Sequence, residues 1–195
     1  MAFKKGFKKW AEDKSLQLRK ELGLQCFDPL NAFDVCTHLQ IHALYPSYFS
    51  EFPTIALKQL TKSDSAWSAL TMKNFEGIQF ILHNHNHSPQ RQQSNLMHEL
   101  AHILCEHTPD EESDESIILQ KFGLRKYNEQ HEQEAEYLGG ALQIPRDGLM
   151  KHLFKERSMH EIAHIHLCSV QLVQYRLNIT GVKRQYENYR KKKGN

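Results

Sequence analysis

Disulfide spacing, long apolar runs and a one-sided charge are all missing from this chain. Its four cysteines, Cys26, Cys36, Cys105 and Cys168, include no CxxC pair and no disulfide-like spacing. That excludes a disulfide framework and suits a reducing, intracellular compartment. No apolar stretch approaches the roughly 18 residues that read as a membrane span. The N-terminus is basic but lacks the apolar segment of a secretory signal. A cytoplasmic protein with no membrane partner is therefore expected. The formal net charge is only +2, so overall charge makes no argument for nucleic acid. With 39% hydrophobic and 25% charged residues, the composition is that of an ordinary folded domain.

What the chain does have is histidine, 13 in all, two of them in a pattern with chemical meaning. The run Asn95 to His107 contains His98-Glu99-x-x-His102. On an α-helix, residues four apart lie about 40° apart around the axis and one turn along it. Both imidazoles then reach the same metal, while Glu99 stands one step round, where a general base can take a proton from water. Leu96, Leu100, Ile103 and Leu104 recur at helical spacing and bury this helix. Cys105, seven residues after His98, reads as a small buried thiol rather than a ligand.

A third ligand is expected downstream, on a second helix from Gln130 to Leu142 that Pro145 follows. Glu132 and Glu136 share a face there, and like charges at this spacing repel unless something positive lies close. Glu132 as ligand and Glu136 as hydrogen-bond acceptor from a ligating histidine would meet that need. Glu134 suits a solvated acidic face. Glu134 and Glu136 stay open as alternatives for the ligand itself. Two histidines, one glutamate and an open position make a hydrolytic zinc site.

With these pieces in place, the sequence resembles the ImmA/IrrE-type zinc metallopeptidases. The matching segments are Ile81-Leu82-His83-Asn84, Ser88-Pro89-Gln90-Arg91, His98-Glu99-Leu100-Ala101-His102, and Glu132 through Pro145. Ala101 replaces the usual Gly, Glu136 stands where Asn is usual, and Leu138-Gly139 replaces Phe-Ala. The resemblance implies Zn2+ held by His98, His102 and Glu132, with Glu99 as catalytic base. It also implies a protein substrate, a helix-turn-helix transcriptional repressor of a phage, mobile element or stress regulon.

The fold class expected is α+β: a minimal zincin-like domain, with a small antiparallel or mixed sheet packed on helices, over residues 1–157. A C-terminal helix-turn-helix-like unit with a basic tail follows over 158–195. Phe3 to Leu22 reads as an amphipathic helix ended by Gly23, with Lys4, Lys5, Lys8 and Lys9 solvated. Asp28-Pro29 suits the cap and first turn of the next helix, through Leu39. Gln40 to Tyr45, Trp67 to Met72 and Ile78 to Leu82 read as strands, the last two joined by a hairpin turn over 73–77. A short helix is expected over Ile55 to Leu60, and an exposed acidic loop over Glu106 to Glu115. His83-Asn84-His85-Asn86-His87 reads as a polar loop rather than a second metal site.

Arg146 to Phe154 is expected to be helical, and Ser158 with Glu161 fits a capping box opening two short helices, the second capped by Ser169. As a DNA reader this pair is poor, since the second helix offers only Arg176 to a base edge. Arg91, Tyr127, His131 and Tyr175 are candidates to steady an oxyanion, with none favoured. Three functions follow in order: a zinc endopeptidase, a non-catalytic zinc-stabilised regulator that binds a repressor, and a DNA-binding regulator. Glu99 favours the first, because a purely structural metal site has no use for a base.

Overall fold

A computed structural model describes residues 3–48, 67–73, 76–107 and 128–193. The helix expected over 55–60, the acidic loop beyond His107 and the candidate Tyr127 lie outside these residues. The chain separates into two compact units, one of Ala32–Glu136 and one of Ala2–Asn31 with Tyr137–Asn195. The fold is α+β, with a small mixed sheet among helices.

The first unit begins with α1′s successor in sequence, a short helix over Ala32–His38, here α2, where α1 is Phe7–Glu21 of the other unit. Helix α2 starts later than Asp28-Pro29 suggests. Asp28 instead accepts the Gln25 N–H at 2.8 Å, while the Ala32 N–H is satisfied by the buried Gln93 side chain at 2.9 Å. A tertiary partner has taken over the capping role. Strand β1 (His42–Leu44) pairs in parallel with β3 (Gln79–His83), which pairs antiparallel with β2 (Ala69–Lys73), giving the order β1-β3-β2. Phe80 to His83 are all buried, as a central strand covered on both faces requires. Helix α3 (Pro89–Leu104) follows, with Ser88 as N-cap accepting the Arg91 N–H and Pro89 at the first helical position. Leu96, Met97, Leu100 and Ala101 are wholly buried and fix which way the helix is rotated.

Helix α4 (Glu129–Gln143) runs from the first unit into the second. The second unit adds α1 and, after Pro145, the helices α5 (Arg146–Phe154), α6 (Met159–Ile165), α7 (Val170–Thr180) and α8 (Val182–Lys193). Ser158 and Glu161 form the expected capping box, and the Ser169 side chain accepts the Leu172 N–H. Ile144 and Leu149 belong to the same apolar cluster as Ile162, Val173, Leu177 and Val182. Buried Arg19 of α1 donates to the carbonyls of Leu142 and Gln143 at 2.8 and 3.0 Å, and Ser15 to that of Ala141 at 2.6 Å. These bonds satisfy the orphan carbonyls at the end of α4. No described helix is long and apolar enough to cross a membrane.

Candidate metal centre

Helix α3 presents its motif as the spacing predicts. His98 lies half-exposed, whereas His102 and Glu99 are buried. Glu132, on the first turn of α4, comes to meet both imidazoles. His98 Nε2 and His102 Nε2 stand 3.1 Å apart, and the two Glu132 oxygens lie 3.2 Å from the first and 3.4 Å from the second. Donors held about 2.0–2.1 Å from a tetrahedral zinc are separated from one another by about 3.3–3.4 Å. The two imidazoles and the carboxylate approach that spacing, with a different Glu132 oxygen turned to each ring, and one donor atom from each residue lies within 4.8 Å of the others. This is also the only His/Cys/Asp/Glu cluster of metal-binding geometry among the described residues. Its composition, two imidazoles and a carboxylate, fits zinc and leaves a fourth position for water or substrate.

Glu99 is tied to the sheet. Its Oε2 accepts the Thr71 N–H at 3.0 Å and the Thr71 hydroxyl at 2.6 Å. Thr71 lies in the middle of β2, opposite Ile81 of β3. Its N–H points to Glu99, so it faces away from β3, along the outer edge of the described sheet. The carboxylate expected to act as base is thus held against a strand edge by two bonds from one residue.

Behind His102 the chain builds an arrangement that periodicity does not reveal. His102 Nδ1 contacts His107 Nδ1 at 2.9 Å, and His107 Nε2 contacts Glu134 Oε2 at 3.1 Å. Glu134 Oε1 accepts from Gln130 at 3.0 Å, and the His131 ring stacks on His107 with centroids 4.2 Å apart. Glu134 is 5% exposed, contrary to the solvated face expected for it. Glu136, expected to brace a ligating histidine, is exposed, and the His102 Nδ1 partner is His107 instead. Along α4, Glu136 follows Glu132 by one turn plus about 40°, and that displacement carries it to solvent. His107 follows α3 by way of Glu106, whose φ of 55° is left-handed and turns the chain back. The signal available in the sequence was a histidine five residues beyond the motif, just past the helix end.

The remaining candidates scatter. Cys105 is a free thiol with its pKa pushed up to about 12, first by burial and then by Glu134, so it stays protonated outside the triangle. His83 packs against Phe33, His85 against Tyr45, and His87 meets Asn95 at 3.1 Å, so the alternating histidines do not converge. Arg91 reaches Ser68 at 3.4 Å, and Tyr175 belongs to the second unit. His131, a further oxyanion candidate, stacks on His107.

No curated protein and no solved structure matches the chain. The family model for the IrrE N-terminal-like domain, Peptidase_M78, matches residues 54–178, which include α3, Glu132 and all of α4. On that match, extending over more than half of its length, the chain belongs to the IrrE N-terminal-like family of metallopeptidases.

Proposed function

We propose that this chain is a zinc-dependent endopeptidase that cleaves a specific protein, with His98, His102 and Glu132 as ligands and Glu99 as general base. The observation that carries the reading is the three-donor triangle with a buried glutamate one residue from its first histidine. Bound zinc would supply Lewis acidity and activate water for attack on a peptide carbonyl. His98 and His102 orient the site from adjacent turns of α3, and Glu132 closes it from α4. Glu99 takes a proton from the attacking water and passes it to the leaving amine, which needs a carboxylate held still through both transfers. The two Thr71 bonds supply that restraint.

The same contact suggests how substrate is held. Edge strands bind extended peptides by main-chain hydrogen bonding, which is indifferent to side-chain sequence. The outer edge of β2, beside Glu99, is where an extended segment would bring its scissile bond close to the base. Family membership supports a helix-turn-helix repressor as substrate, in the cytoplasm, with the repressor's regulon released by cleavage. The DNA-binding alternative loses its best residue, since Arg176 is wholly buried and bonded to Glu12 and the Ile144 carbonyl.

The test measures zinc content and repressor cleavage for the wild type, Glu132→Ala and Glu99→Gln. One zinc per wild-type chain, lost in Glu132→Ala, with Glu99→Gln retaining zinc but not cleavage, is the expected pattern. Cleavage at the normal rate by Glu99→Gln would remove the proposed mechanism. Zinc retained without cleavage in the wild type would favour the non-catalytic regulator.

A further inference from the structure

We infer that His107 and Glu134 position the metal ligand His102, through a hydrogen-bond chain of one polarity that turns the Nε2 lone pair of His102 into the triangle. The inference rests on the zinc-site reading above and names the residues that give the site its affinity.

The direction of the chain follows from what each group can do. A carboxylate only accepts, so at Glu134 Oε2 the proton of the 3.1 Å contact sits on His107 Nε2. A neutral His107 with its proton there has only a lone pair at Nδ1. The 2.9 Å contact to His102 Nδ1 then requires His102 to donate. With its proton on Nδ1, His102 carries an unprotonated Nε2, the atom 3.1 Å from His98 Nε2 and 3.4 Å from Glu132. The opposite tautomer of His102 would set a lone pair against a lone pair at the 2.9 Å contact.

The far end of the chain is built to stay in place. Glu134 is buried and its second oxygen is held by Gln130 one turn earlier on α4. The His107 ring is confined by the parallel face of His131, at an interplanar angle of 9°. Glu132 and Glu134 are only two residues apart on α4, so this helix delivers a ligand to the metal and the carboxylate that governs another ligand. Partners of this kind on a ligating histidine commonly affect metal affinity by about 10–100-fold.

Competition titration of the full-length protein against a chromophoric chelator tests the inference, using zinc itself as probe. The variants are His107→Leu, His107→Gln and Glu134→Gln, with folding of each metal-free protein checked by circular dichroism. His107→Leu is expected to weaken zinc by about 10–100-fold. His107→Gln, whose carbonyl accepts from His102 and whose amide donates to Glu134, should recover most of that loss. Glu134→Gln keeps an acceptor but loses the charge and should fall between them. Cobalt-loaded His107→Leu should also show a shifted visible absorption spectrum, which a general loss of stability would not produce.

Equal zinc affinity in wild type, His107→Leu and Glu134→Gln overturns the inference while leaving the zinc site standing. Failure of His107→Gln to exceed His107→Leu overturns the polarity argument. A wild type that binds no zinc overturns the site itself and this inference with it. If His107→Leu does not fold, Glu134→Gln and His107→Gln decide the matter by the same titration.

Discussion

Arg176, wholly buried, and Glu12, partly buried, stand 164 residues apart in sequence and form an ion pair through Arg176 Nη2 and Glu12 Oε1. Glu12 also accepts the Tyr137 hydroxyl at 3.1 Å and the Arg146 N–H at 2.8 Å, while Arg176 Nε donates to the Ile144 carbonyl at 3.0 Å. One carboxylate of α1 thus satisfies donors from α4, α5 and α7. Such an arrangement makes the arginine part of the core of its unit and withdraws it from any external ligand.

Removing one partner of a buried pair leaves the other charged and unsatisfied, which costs about 3–5 kcal/mol. Glu12→Ala is therefore expected to lower the unfolding free energy by about 3 kcal/mol, measured by urea denaturation. The joint change Glu12→Leu with Arg176→Met should recover much of it. A single variant as stable as the wild type would show that the pair is not central to its unit.

A second prediction concerns acid. His152 and His166 are buried with their Nε2 atoms 2.7 Å apart, and Arg157 donates to His152 Nδ1 at 2.9 Å. Burial lowers the His152 pKa to about 4, helped by Arg157 and Lys155, and that of His166 to about 3, helped by His152, Arg19 and Arg157. Both folded values lie below the ordinary 6.5, so the unfolded chain takes up these protons first. The contribution to stability is complete above about pH 6.5 and is lost as pH falls towards 4 and then 3. Denaturation of chelator-treated protein between pH 7 and 5 should show this slope. Replacing both histidines by phenylalanine should flatten it, and an unchanged slope would assign the acid sensitivity elsewhere.

Gly148 on α5 offers a steric prediction. A Cβ there would lie 2.4 Å from the Cys26 carbonyl oxygen, a backbone atom with little freedom to retreat. Gly148→Ala is expected to destabilise by about 1–3 kcal/mol in spite of alanine's better helix propensity. Thermal unfolding would register the loss, and a raised midpoint would show that the segment around Cys26 yields.

Thr71→Val separates base positioning from metal binding. The backbone N–H to Glu99 survives and the hydroxyl at 2.6 Å is lost. A hydrogen bond to a charged group is worth about 1.5–3 kcal/mol, so kcat should fall by about tenfold or more while zinc content is unchanged. Loss of zinc along with activity would show that the hydroxyl serves the whole site.

Much of this architecture was legible because it depends on spacing. The motif face of α3, the helix bearing Glu132 and the Ser158–Glu161 capping box follow from residues three and four apart. The parts that were not legible depend on what a face meets. Glu134 is about 200° round α4 from Glu132, which made it look like a residue turned to water, yet His107 returns past a left-handed turn to cover it. Asp28 has the chemistry of a helix cap and spends it on Gln25, because Gln93 already serves the start of α2. Arg176 has the chemistry of a base-edge donor, yet Glu12 holds it.

The strand order β1-β3-β2 has a kinetic corollary. Strands β2 and β3 are neighbours in sequence and α3 follows them at once, whereas the parallel β1–β3 pairing joins His42 to Phe80. Short loops close faster than long ones, so the β2–β3 hairpin that carries Thr71 is expected to assemble early. Glu132 comes later in the chain and completes the triangle from another helix. Tight zinc capture during refolding therefore reports one event, the arrival of Glu132 on α4 beside the two histidines of α3.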